Sequence, residues 1–207
     1  MIGTATTVAG MGMALYISLE AYSQGGRFAW HPFCMSLGAL GLSTAGIQAV
    51  RSRRTAEGLQ AKTRRTQLHS ALSNLALLSM LGGLYAIYSN KNLMGKDHWT
   101  SWHSWGGLFA LALWVANLGL AGSNTVDLGK KRLVFLWQSR NHRWLGAAAY
   151  TATLATVSSG FHSGWGLRSL GGEQGAWAMT AGVALIFLGV ISQGLGAAPT
   201  DVRSKKA

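Results

Sequence analysis

Polar and apolar positions along the 207-residue chain fall into blocks rather than into the stripes of a soluble amphipathic fold. Stretches free of Lys, Arg, Asp and Glu run 2–19, 28–50, 66–90, 98–126, 144–167 and 174–200. All but the first exceed the roughly 20 residues that a helix needs to cross a hydrocarbon core, and the first is just long enough. These blocks predict six transmembrane helices, near 3–22, 30–50, 67–89, 102–122, 143–163 and 175–196. Every backbone amide in lipid must be satisfied within the chain, so helices joined by short loops are the architecture to expect. The expected fold is therefore an all-α six-helix membrane bundle, one domain over 1–207, with no soluble domain and no repeat of strong sequence identity. The first segment lacks a basic leading region and is expected to stay as a helix rather than be removed as a signal peptide.

Composition supports this reading. Hydrophobic residues make up 49% of the chain and charged residues 12%, against about a quarter charged in an average soluble domain. A net charge of +12 would suggest nucleic acid in a soluble protein, but here the charge alternates from loop to loop. Arg51, Arg53, Arg54, Lys62, Arg64 and Arg65 fall in one loop, and Lys130, Lys131, Arg132, Arg140 and Arg143 in another. The tail adds Arg203, Lys205 and Lys206, whereas the opposite loops hold only Arg27, Lys91, Lys96 and Arg168. Cationic loops stay in the cytosol, which puts both termini there and removes any need for a nucleic-acid partner. Cys34 is the only cysteine, so no internal disulfide can form and the redox compartment is not legible from it.

Candidate chemistry enters with the histidines. His31, His69, His103 and His142 are separated by 38, 34 and 39 positions, and each opens an apolar segment. Those intervals are about one crossing plus a short loop, so His31 and His103 are expected near the outer face and His69 and His142 near the inner face. One helical turn beyond them stand Met35, Ser73, Gly107 and Gly146, on the same helix face. Gly106 and Ala71 add small residues, which would let a flat macrocycle approach the backbone, and neutral imidazole is a common haem-iron ligand. Pro32 suits a first helical turn, where its missing N–H costs nothing. Glycine and alanine also mediate ordinary helix packing in lipid, and a single interfacial histidine can be a polar anchor. Four at matched depths in two pairs favour ligation, because ionisable groups inside a membrane are expensive and usually functional.

The strings His31-Pro32-Phe33-Cys34-Met35, Arg65-Thr66-Gln67-Leu68-His69, His98-Trp99-Thr100-Ser101-Trp102-His103-Ser104-Trp105-Gly106 and His142-Arg143-Trp144-Leu145-Gly146 resemble eukaryotic cytochrome b561. The resemblance runs along nearly the whole chain, in order and with the family's spacing, and is nearest to the short animal-type branch. It implies a four-helix core from the second to the fifth helix, about 30–163, flanked by helices 3–22 and 175–196. It also implies two haem b groups, an outer one on His31 and His103 and an inner one on His69 and His142. The activity implied is ascorbate oxidation on the cytosolic side and reduction of monodehydroascorbate or a ferric chelate on the other. An endomembrane location, endoplasmic reticulum or vesicle, is expected, and a homodimer is compatible with the sequence. Two other classes stay open: a haem-bearing membrane anchor for another redox protein, and a haem-free metal or proton transporter.

An anionic donor needs cations beside the inner haem. Arg64 and Arg65 precede His69, and Arg140 and Arg143 flank His142, so these four are the expected substrate residues, their guanidinium forks suited to an enediolate. Topology alone accounts for Arg51, Arg53 and Arg54. In the wider family a lysine often occupies the position near Arg65. His98, five residues before His103, is the outer candidate for substrate binding and catalysis, with Lys91 and Lys96 to attract an anionic chelate. His162 lies 20 positions after His142, about 200° round a helix, and is expected to be a polar interfacial residue or to make an interhelix hydrogen bond instead. Most of the nine tryptophans sit at predicted helix ends as an aromatic belt. Trp114 and Phe109 are expected to be core packing, and Glu20 to be interfacial.

Overall fold

In the computed structural model, residues 2–126 and 140–193 are described. They are all-helical, with no strand among them. In chain order the elements are α1 (Ile2–Gln24), α2 (Gly26–Ser36), a π-helical turn (Leu37–Leu42), α3 (Ser43–Arg51), a 3-10 turn (Ser52–Arg54) and α4 (Gly58–Leu93). They continue with α5 (Trp102–Val126), α6 (Arg140–Phe161), α7 (Gly164–Ser169) and α8 (Gly172–Ile191). Five stretches are long and apolar enough to cross a membrane: Ile2–Gln24, Gly26–Arg54, Gly58–Leu93, Trp102–Ala121 and Gly172–Ile191. The protein is an integral membrane protein. The predicted fifth span corresponds to α6, whose 22 residues suffice in length but which is less apolar than the other five.

Boundaries depart from expectation where charge was read as a stop. The helix predicted over 67–89 runs Gly58–Leu93, 36 residues, or about 54 Å at 1.5 Å per residue. That is well beyond a hydrocarbon core of roughly 30 Å. Lys, Arg and Gln are good helix formers, so α4 continues into the aqueous layer and carries Lys62, Arg64 and Arg65 out on its first turns. The break between α1 and α2 falls at Gly25 and Gly26, with φ of 65° and 75°, a left-handed geometry that glycine adopts without steric cost.

Several hydroxyl side chains in the membrane are satisfied by a carbonyl one turn back on their own helix. Thr6 donates to the Ile2 carbonyl at 2.8 Å and Thr7 to Gly3 at 2.9 Å. On α6, Thr151, Thr153 and Thr156 donate to the carbonyls of Ala147, Ala149 and Ala152 at 2.8–2.9 Å.

Two helical hairpins form the centre. In one, α2 and α3 pack along α4; in the other, α5 packs along α6. The hairpins meet where α4 touches α5 and where α6 lies on the π turn. That turn carries Ala39 and Leu40, both essentially inaccessible, and Gly38, where a Cβ would lie 2.7 Å from the Ala76 carbonyl. The outer helices α1 and α8 pack on each other, α1 covering α2, α3 and the π turn while α8 covers α6.

Candidate functional site

Each hairpin carries one histidine near each end, and the ends bring them together across the hairpins. The rings of His31 (α2) and His103 (α5) have centroids 6.1 Å apart at 87°. Those of His69 (α4) and His142 (α6) are 6.3 Å apart at 83°. The hydrogen bonding is reciprocal within each hairpin. His31 Nδ1 donates to the Gly83 carbonyl on α4 at 3.0 Å, and His69 Nδ1 to the Gly46 carbonyl on α3 at 2.9 Å. His103 Nδ1 donates to the Thr156 carbonyl on α6 at 3.0 Å, and the backbone of Asn117 on α5 lies beside His142. In sequence, His31 and His103 reach 52 and 53 positions ahead for these partners. The two hairpins thus repeat one design, although their sequences do not repeat visibly.

Each pair opens into its own cavity. The His31–His103 cavity, about 260 Å³, is lined also by Met35 and Gly107. The His69–His142 cavity, about 210 Å³, is lined also by Ser73 and Gly146. All four of the residues placed one turn beyond the histidines therefore face the cavities. The backbone comes close elsewhere too: a Cβ on Gly160 would meet His103 Cε1 at 2.9 Å, and one on Gly146 would meet Asn117 Nδ2 at 2.9 Å.

A macrocyclic metal fits this donor set better than a bare ion does. Among the described residues, no group of three or more His, Cys, Asp or Glu could hold a metal ion, and tetrahedral sites need four ligands. A porphyrin brings four nitrogens of its own and needs only two axial ligands. Two imidazoles facing one metal at about 2.0–2.1 Å each, with each nitrogen set slightly ahead of its ring centre, require centroids roughly 6 Å apart. Both pairs meet that spacing. Tying the second ring nitrogen to a carbonyl is what orients a metal-binding histidine and makes it a better ligand.

The mouths differ in chemistry. Arg51, Arg54 and Arg143 line the His69–His142 cavity, with Thr66, Asn74 and Asn117. Of the four arginines expected there, Arg143 is present, while Arg64, Arg65 and Arg140 lie on the exposed surface. Arg51 and Arg54, which topology alone was enough to explain, take their place. The signal was available: Ile47, Val50, Arg51 and Arg54 all line this cavity, at spacings that share one helix face. Carbonyls at and just beyond the end of α8 hold both guanidiniums, Arg51 donating to Val190 and Arg54 to Gln193 at 3.0 Å. Lys130, Lys131, Arg132, Trp137, Arg203, Lys205 and Lys206 lie outside the described residues.

At the opposite end, Lys91, His98 and Trp99 line the His31–His103 cavity. His98 stacks on Tyr88 with centroids 4.3 Å apart and hydrogen-bonds Asn92 Oδ1 through Nε2 at 2.8 Å. Lys91 Nζ donates to the Asp97 carbonyl at 2.7 Å, while Lys96 is exposed. Trp99 has φ of 56°, the one positive value outside glycine among the described residues, so the loop holds a bulky side chain in an unfavourable conformation over this mouth. Trp165 forms the facing wall, fixed by its indole N–H donating to Gln24 Oε1 at 2.9 Å.

His162 stays apart from both cavities, its Nε2 within 3.1 Å of Thr180 Oγ1 on α8, the second of the two roles expected of it. Trp114 is buried core. Phe109, expected to be core, is 61% exposed, because its position on α5 turns away from the hairpin contact.

The sequence profile of the family described as eukaryotic cytochrome b561 matches residues 30–167, which takes in all four histidines. The chain belongs to that family, whose members bind haem and act as transmembrane oxidoreductases in electron transport. It is 28% identical to transmembrane reductase CYB561D2 of Bos taurus over 179 residues, 84% of this chain and 78% of that protein. The Homo sapiens protein of the same name matches at the same identity and coverage. Transmembrane ascorbate-dependent reductase CYB561 of Ovis aries is 28% identical over 160 residues, 76% of this chain and 61% of that protein.

Proposed function

We propose that the protein carries single electrons across the membrane, from cytosolic ascorbate to monodehydroascorbate or a ferric chelate on the other side. Two haem b groups would serve, one held by His69 and His142 and one by His31 and His103. The observation that carries this reading is the pair of imidazole facings at 6.1 and 6.3 Å, near opposite ends of the same bundle. Bound there, each haem supplies a one-electron iron couple. The protein supplies everything else. The Nδ1 hydrogen bonds of His31, His69 and His103 hold those rings with Nε2 turned inward, and Gly107 and Gly146 leave room for a flat group. An apolar partition lies between the two cavities.

At the His69–His142 mouth, Arg51, Arg54 and Arg143 would dock the ascorbate anion, while the exposed Arg64, Arg65 and Arg140 raise its local concentration by long-range attraction. At the other mouth, His98 would receive the acceptor, with Lys91 and Lys96 drawing in anions. The relatives whose name says that they depend on ascorbate support the choice of donor. The distribution of arginine and lysine supports a cytosolic His69–His142 end and cytosolic termini. α6 would be the sixth crossing, its threonines made tolerable in lipid by their bonds to carbonyls one turn back.

The test is an absorption spectrum of the purified protein, followed by ascorbate addition to proteoliposomes. Two low-spin haems per chain, reduced from the arginine-rich side, are expected. No reducible Soret band would overturn the haem assignment and favour a metal or proton transporter; a band that ascorbate cannot reduce would favour an anchor for another redox protein.

A further inference from the structure

The two cavities are separated by one helical turn of each of three helices. Leu77, Trp114 and Tyr150 line the His69–His142 cavity, and Met80, Leu111 and Thr153, three positions away on α4, α5 and α6, line the other. Ala39, Leu77, Met80, Leu111, Trp114 and Ala149 form one packed cluster there. Crossing this apolar wall, the Trp114 indole N–H donates to Thr153 Oγ1 at 2.9 Å, with both side chains buried. One end of that bond belongs to the lining of one cavity and the other end to the lining of the second.

We propose that the Trp114–Thr153 hydrogen bond is the electronic contact between the two sites, a positioning element for electron transfer across the wall. This rests on the two-haem reading above. Tunnelling decays less steeply through covalent and hydrogen-bonded atoms than across van der Waals gaps. Between helices, the other wall residues of this cluster meet through apolar side-chain contact. The Thr153 hydroxyl fits the role because it also donates to the Ala149 carbonyl at 2.8 Å, which leaves its lone pairs for the indole. The bond therefore has a fixed direction, and the indole is locked in one orientation rather than free to rock in a greasy pocket. A purely structural Trp114 would need only its volume.

The experiment uses the full-length protein loaded with haem. One site is reduced by a light flash and re-equilibration between the two is followed optically, while equilibrium midpoint potentials are measured separately. Thr153→Val and Trp114→Phe should each slow inter-site equilibration several-fold with both potentials unchanged. The double variant should be no slower than the slower single variant, since both remove the same link and such effects do not add. Thr153→Ser keeps the hydroxyl and should retain the parent rate. Ultraviolet resonance Raman spectra should show the indole N–H losing its partner in Thr153→Val, in the presence or absence of haem. Unchanged rates in Thr153→Val and Trp114→Phe would overturn the proposal, as would additive slowing in the double variant. Absence of two bis-histidine haems in the parent protein would instead defeat the underlying assignment, an outcome visible before any flash.

Discussion

Replacing Gly160 by alanine should damage the His31–His103 site without touching a ligand. The new Cβ would lie 2.9 Å from His103 Cε1 and 3.4 Å from Nδ1. Carbon atoms prefer about 3.5–4.0 Å, so the ring must yield by roughly 0.6 Å merely to reach the near edge of that range. Metal–ligand distances hold to about ±0.2 Å, so the displacement is about three times the tolerance. The same movement strains the 3.0 Å hydrogen bond to the Thr156 carbonyl, and losing such an orienting partner typically lowers metal affinity about 10–100-fold. α6 could back away from α5 instead, but these helices are closely packed along their length. Haem per polypeptide, measured as the pyridine haemochrome, should fall from two toward one, and low-temperature EPR should lose one low-spin signal or gain a high-spin one. Gly119→Ala is the control, because no heavy atom lies within 4 Å of its Cβ position. Two intact low-spin centres in Gly160→Ala would refute the reasoning. Equal damage from Gly119→Ala would show that small-to-large changes in this bundle harm it without regard to place.

Further outcomes follow from the same geometry. His69→Ala or His142→Ala should remove one haem and His31→Ala or His103→Ala the other, while His162→Ala leaves both, as haem content and spectra will report. Arg51→Ala, Arg54→Ala and Arg143→Ala should each slow reduction by ascorbate in stopped flow with haem spectra unchanged, the charge contribution shrinking as salt shortens the screening length from about 8 Å at physiological strength. Arg64→Ala, Arg65→Ala and Arg140→Ala should act only through this salt-sensitive attraction and therefore more weakly. His98→Ala should spare reduction by ascorbate but slow reoxidation by ferric or radical acceptors; equal slowing of both half-reactions would remove His98 from the acceptor site.

What the sequence made legible was the part governed by simple periodicity. Charge-free blocks announce helices because lipid tolerates little else, and the histidine spacing matches the crossing length, so His31, His69, His103 and His142 could be paired before any coordinates. The ends of elements were harder. α4 outruns its apolar block because arginine and lysine are as compatible with helix as leucine is, and only the solvent changes at Arg65. The exchange of Arg64 and Arg65 for Arg51 and Arg54 has the same origin. Proximity in sequence to His69 suggested the former, whereas the direction of a guanidinium depends on helix phase and on the carbonyls at and just beyond the end of α8 that hold it. The repeat of the two hairpins was hidden for another reason. It resides in backbone carbonyls such as those of Gly83, Thr156 and Gly46, groups that every residue carries and no composition betrays.

That repeat has a bearing on how the molecule is assembled. Each imidazole pair takes one member from each hairpin, and the hairpins also meet where α4 touches α5, where α6 lies on the π turn and where the Thr44 and Tyr150 hydroxyls bond each other at 2.8 Å. On the proposed assignment, each cofactor is a crosslink between the two halves, as well as a redox centre. Haem supply then enters the folding equilibrium by mass action, since a ligand that binds only the joined form stabilises it in proportion to its concentration over its dissociation constant. A chain made when haem is scarce would lack those crosslinks and keep polar imidazoles in the seam between the hairpins. Such a protein would register the availability of its cofactor through its own lifetime, long before any electron crossed it.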